Sequence, residues 1–156
     1  MKLRTNLYDL WIFHRCNESP EYLMYRTSQE KADKWFFGRC FWQIAGGSVR
    51  KQQDPIHAII KLVQTIGLNL LKIYAVEYTY TYYNSRRKNI EIVPVFAAEV
   101  VAPGRVELSW EHSEYCWFDY NECRDRITYR GLLEGLEATR KYVVEPINDP
   151  TGLQLY

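Results

Sequence analysis

No apolar run in this chain approaches the roughly 20 residues that a membrane-crossing helix needs, and the first residues lack the layout of a signal peptide. Its four cysteines, Cys16, Cys40, Cys116 and Cys123, form no C-x-x-C pair and no zinc ladder. Free thiols in a reducing, cytoplasmic setting are therefore expected. A charge excess is missing as well. Lys and Arg number 20 against 19 Asp and Glu, for a net charge of +1, which removes the electrostatic case for nucleic acid or an anionic membrane as partner. There is no internal repeat and no linker, so one domain over residues 1–144 is expected, followed by an irregular tail over 145–156 that carries Pro146 and Pro150. Acid is also scarce locally: Asp54 is the sole carboxylate between Gly46 and Leu68.

Aromatic residues are abundant, at 15% of 156 residues. Leu7 to His14 reads as a strand rich in Tyr, Trp, Ile and Phe, and Glu21 to Arg26 returns as its hairpin partner. Ser28 to Gly38 is polar and then aromatic, and an irregular loop is expected there. Asp54 is placed to cap a helix with Pro55 at its first position. Ile56, Ile59, Ile60 and Val63 then follow at helical spacing, and Gly67 stops the helix. Two long strands follow, Leu70 to Tyr83 and Ile90 to Val101, joined by a basic turn. A short strand over Glu114 to Phe118 precedes a last helix, read from Arg126 to Val143, whose Gly131 and Gly135 lower its propensity. The order strands, helix, strands, helix is an α+β pattern.

Residues 42–68 have the outline of a Nudix box, G-x5-E-x7-R-E-U-x-E-E-x-G-U, in which glutamates on a loop and helix hold divalent metal. The glycines, the helix and the closing Gly67-Leu68 are present; the glutamates are not. With Gly47 as the first box residue, Gln53 stands at the first glutamate, Lys61 at the arginine, Leu62 at the next glutamate and Thr65 at the remaining pair. Taking Gly46 first puts Gln52, Lys61, Gln64 and Thr65 at the glutamates instead. Three further segments resemble the branch of dATP and dihydroneopterin triphosphate pyrophosphohydrolases. They are Phe41-Trp42-Gln43, the run from Ile92 to Val100 with its Phe96-Ala97-Ala98-Glu99, and Glu111-His112 leading into Tyr115-Cys116-Trp117-Phe118. The resemblance implies a Nudix fold, an α/β/α sandwich around a mixed central β-sheet.

It also implies a magnesium-dependent reaction for which this chain lacks the ligands. Magnesium requires hard anionic oxygens in near-octahedral geometry, and amides, a hydroxyl and a lysine do not supply them. Glu111 is the one family acid retained, and as a metal ligand it would stand alone. The expected function is a catalytically inactive protein that binds a nucleotide-like molecule or a protein partner without a cofactor. The alternatives are an atypical magnesium-dependent hydrolase and a structural subunit, such as a homodimer. Candidate ligand contacts are Trp42, Gln43, Gly46 and Gly47 beside the box, Tyr82 for stacking, and Arg86 and Arg87 for anionic groups. Tyr74, Tyr78, Tyr80 and Tyr82 share strand parity and are expected to face one way, as core or interface before ligand stacking. Arg86, Arg87 and Lys88 also fit a solvated hairpin turn.

Overall fold

The computed structural model describes residues 1–156. The central strand is β7 (Asn89–Val100). On one side it pairs in parallel with β1 (Lys2–Arg4) and with β2 (Leu7–His14); on the other it pairs antiparallel with β6 (Leu70–Asn84). Strand β7 is buried on both faces. Val95 and Ala97 enter one core cluster, while Ala98 and Val100 enter a second. The helix α2 (Pro55–Thr65) covers the second face through Ile59 and Val63, and α4 (Arg130–Thr139) covers the first through Leu132 and Leu136. The result is a mixed sheet between helices, as expected.

The sheet splits at one end, and the split makes the site. The hairpin of β2 and β3 (Glu21–Thr27) pairs only at Phe13–Tyr22 and His14–Glu21, after which the strands diverge. A single segment fills the gap by crossing between them. Its β4 (Trp42–Gln43) pairs with β3, and its β5 (Ala45–Ser48) pairs with β2, with Ile44 buried at the crossing. The outer edge of β3 pairs with β8 (His112–Phe118).

Helix α2 forms as its sequence dictates. The Asp54 carboxylate accepts from the Ile56 amide at 2.9 Å, and Pro55 opens the first turn. At the far end Gly67 adopts φ +85°, and the amides of Gly67 and Leu68 donate to the carbonyls of Gln64 and Val63. That pair of bonds is a Schellman motif, which satisfies carbonyls the helix leaves open.

Three expectations are corrected. The stretch from Ser28 to Gly38 contains a helix, α1 (Gln29–Trp35), because the Ser28 side chain caps it by accepting from the Lys31 amide at 3.1 Å. The helix read from Arg126 to Val143 is two helices. Asp119 and Glu122 form a capping box that starts α3 (Tyr120–Arg126) early, and Ile127 turns extended before α4 starts at Arg130. The last turn, Arg140–Val144, widens into a π-helix. The tail is partly ordered: a 3-10 turn at Pro150–Leu153 brings Leu155 and Tyr156 into backbone hydrogen bonds with Ile73 on β6. No helix is long and apolar enough to cross a membrane.

Candidate functional site

A cleft of about 960 Å³ opens where β2 and β3 part. Its floor is Asp9 on β2 with Gln43 and Ile44 of the crossing segment. One wall is β6 and its hairpin turn, from Tyr78 to Arg87. The other combines the loop after α1, including Trp35, Phe36 and Phe41, with Tyr129 and Arg130 at the start of α4.

The tyrosines of β6 do face one way. Tyr74, Tyr78, Tyr80 and Tyr82 lie opposite Ala97, Val95, Val93 and Glu91, every second residue of β7. This alignment survives a bulge at Val76–Glu77, where Glu77 takes φ +58°, because the bulge inserts two residues and so preserves parity. Their roles then diverge. Tyr74 is core. Tyr78, Tyr80 and Tyr82 stack in sequence with centroids 6.3 and 6.2 Å apart. The opposite wall is a second aromatic chain: Phe36 meets Phe41 edge-on at 4.7 Å, and Phe41 meets Tyr129 at 4.9 Å.

Tyr80 and Asp9 form a half-buried polar pair on the floor of the cleft. The Tyr80 hydroxyl donates to Asp9 Oδ2 at 2.6 Å, reaching across β7 from β6 to β2. Gly131 of α4 makes room for this reach, since a Cβ there would sit 2.5 Å from the Tyr80 ring. Burial pushes the Asp9 carboxyl up to about 6, against the opposing pull of the Tyr80 hydroxyl. Burial, with the Asp9 charge second, also pushes the Tyr80 phenol well above its usual range. Near the cleft's other end the Tyr78 hydroxyl donates to Glu134, which also accepts from Arg130 at 2.6 Å.

The hairpin turn at the cleft's mouth is basic and docked. The Arg86 guanidinium lies 5.0 Å from the Phe37 ring and donates to the Lys34 carbonyl, while Arg87 lies 5.2 Å from the Trp35 ring. Four arginines line the cleft, Arg39, Arg86, Arg87 and Arg130, against two carboxylates, Asp9 and Glu134. Its lining is therefore cationic although the whole chain is near neutral.

Of the residues expected from sequence, Gln43, Tyr82, Arg86 and Arg87 line this cleft; Trp42, Gly46 and Gly47 do not. Trp42 packs edge-on against Phe118 at 5.2 Å. The glycines let β5 approach β2: a Cβ at Gly46 would lie 2.7 Å from the Tyr8 carbonyl, and one at Gly47 would lie 3.0 Å from the Tyr8 hydroxyl. Gln43 also holds the β8 loop, its amide nitrogen 2.7 Å from His112 Nε2. That amide donates, so the ring nitrogen facing it is an unprotonated acceptor. Burial, helped by the Lys31 charge, accordingly brings the His112 imidazole down to about 4.

The box positions do not fit a divalent metal. Gln53, Lys61 and Thr65 are exposed, and Leu62 packs against the core on the α2 side. Glu111 lies 3.7 Å from the Lys31 ammonium, and its carbonyl accepts from the Ser28 amide, so it ties the β8 loop to α1. The other acids are dispersed. Glu91 is buried beside Arg4 and Asn84, Glu99 pairs with Arg15, Glu107 with Arg105, and Glu114 is exposed on β8. No three His, Cys, Asp or Glu side chains come together as a metal site.

Sequence comparison finds no family model and no curated protein that matches. Structural comparison does find counterparts. The Ap4A hydrolase of C. elegans superposes with a TM-score of 0.66 at 17% identity over 88% of this chain and 96% of its own. The chain has the Nudix fold. The E. coli dihydroneopterin triphosphate pyrophosphohydrolase matches it with a TM-score of 0.64 at 15% identity, over 84% of this chain and 91% of that one. The Nudix domain of NrtR from Shewanella oneidensis, crystallised with ADP-ribose, gives 0.63 at 13% identity, over 90% and 88%. At these identities the likeness concerns the Nudix fold alone, and this chain's site has to be read from its own residues.

Sequence reasoning placed Tyr80 in core or interface before ligand stacking, and it missed Asp9, Tyr129 and Glu134. Asp9 carried a signal: it is the lone acid in the otherwise apolar and aromatic strand Leu7–Phe13. A carboxylate in such a strand requires a partner or a purpose. The others become visible only once α4 is laid across β6.

Proposed function

We propose that this Nudix-fold protein is a binding module that takes a nucleotide-like molecule without metal and without hydrolysing it. The observation that carries this reading is the cleft itself, with aromatic side chains on both walls and an arginine excess, set in a chain whose box positions hold Gln53, Lys61, Leu62 and Thr65. Aromatic faces receive a heterocycle. Arg86 and Arg87, braced on Phe37 and Trp35, offer forked donors to phosphate or carboxylate. The Nudix domain of NrtR binds ADP-ribose, a ligand of that chemistry.

Calorimetric titration of the purified protein with nucleoside triphosphates in EDTA, and again in magnesium or manganese with pyrophosphate release monitored, tests this proposal. Binding in EDTA with no turnover in either metal is the expected result. Metal-dependent pyrophosphate release overturns it in favour of an atypical hydrolase, and no binding of any nucleotide removes the ligand.

A further inference from the structure

The floor of the cleft carries more chemistry than ring stacking needs. Asp9 Oδ2 is engaged by the Tyr80 hydroxyl at 2.6 Å, whereas Oδ1 has no protein partner although Asp9 lines the cleft. Gly46 stands directly opposite Asp9 on β5, and a Cβ built there would lie 3.3 Å from Oδ1, so glycine keeps that side of the carboxylate clear. Tyr80 in turn is pinned by the stack of Tyr78 and Tyr82 and by Gly131 above it, which fixes the carboxylate's orientation.

Asp9 is half-buried, and its Oδ1, with no protein partner, is an acceptor open to the cleft. A ligand that donates to it is matched there; a ligand that presents a lone pair is not. Resting on the nucleotide-binding reading above, we infer that Asp9 is the specificity-determining residue of the cleft, accepting the two adjacent N–H donors of a guanine-type ring edge. Oδ1 takes one donor, and Oδ2 takes the other through the lone pair that Tyr80 leaves open. The anionic part of the same ligand lies toward Arg86 and Arg87. Hypoxanthine keeps one of the two donors, and adenine turns the ring-nitrogen lone pair of that edge toward the carboxylate.

The test compares GTP with ITP, which lacks only the 2-amino group, and with ATP, by calorimetry on the full chain in EDTA at pH 8. GTP is expected to bind about 10- to 100-fold more tightly than ITP, the range for one hydrogen bond to a charged acceptor, and ATP more weakly still. In Asp9→Asn, checked for folding by thermal melting, one carboxylate acceptor becomes an NH2 donor, and the GTP preference over ITP should collapse to within about threefold of parity. The wild-type ratio decides the matter even if that variant does not fold. Equal affinity for GTP and ITP would overturn the inference while leaving the binding module intact; no binding of any of the three would remove both.

Discussion

Asp9 and His112 are both displaced from their ordinary titration, in opposite directions and with opposite consequences. An unfolded Asp9 titrates near 3.8 and the folded one near 6, so between those values the folded chain holds the extra proton. The stability that goes with this proton is complete below about pH 3.8 and is lost as pH rises through about 6. A displacement of roughly two pKa units corresponds to about 3 kcal/mol. His112, lowered from 6.5 to about 4, does the reverse: its contribution is present above pH 6.5 and is lost as pH falls toward 4. In the wild type the two slopes oppose each other between about pH 4 and 6. Single substitutions separate them. Urea unfolding of Asp9→Asn should show a gain in stability relative to wild type at pH 8, up to about 3 kcal/mol, that disappears at pH 4. His112→Gln, whose side chain still accepts from Gln43, should instead protect the protein at pH 4.5 relative to its own behaviour at pH 7.5. A pH-independent effect of either substitution would count against the burial that displaces these groups.

Helix α4 and strand β5 depend on glycines for closeness rather than for flexibility. Alanine at Gly131 would gain about 1 kcal/mol of helix propensity, yet its Cβ meets the Tyr80 ring at 2.5 Å, backed by the rest of the tyrosine stack. Overpacking of a held aromatic costs about 1–3 kcal/mol, so the clash outweighs propensity and Gly131→Ala should lower the melting temperature. It should also move Tyr80 off Asp9, and because the ionised carboxylate then loses the hydroxyl that stabilises it, the excess stability of Asp9→Asn at pH 8 should grow in the Gly131→Ala background. Gly46→Ala should cost a similar amount by a different route, since the obstacle is the Tyr8 carbonyl and β5 itself must retreat. At this scale the sequence was legible where the signal was local. The caps of α2, the hydrophobic periods, the parity of the tyrosines and the glycine spacing all act within a few residues. It misled where a short element overrode composition, as when Ser28 capped α1 in a polar stretch and when Ile127 broke the last helix. It was silent on the pairing of Asp9 with Tyr80, because the two are 71 positions apart and meet only across β7.

Taken whole, the molecule keeps the Nudix scaffold while its charge is redistributed. Helix α2 carries Lys61 and neutral side chains on its exposed face, and the cationic lining lies on the opposite side of the sheet, around β6 and α4. A ligand held there should stabilise the fold by mass action, by about 2.7 kcal/mol at a hundred times its dissociation constant. For a chain of this size each kcal/mol moves the melting temperature by roughly 2–4 °C, which gives a rise of about 5–10 °C. A Nudix site built on carboxylates would need magnesium to tolerate a triphosphate, so its ligand shift would vanish in EDTA. In the binding module proposed above the arginines would meet the anion directly, so the shift with GTP should be the same in EDTA and in magnesium, and should shrink as salt screens the exposed guanidinium groups. Replacing Arg86 and Arg87 together by Glu should abolish the shift with the triphosphate while leaving the unliganded melting temperature within a few degrees, because both side chains are exposed. A shift that appears only with magnesium would place the binding energy in a metal site, and the cleft would lose its role.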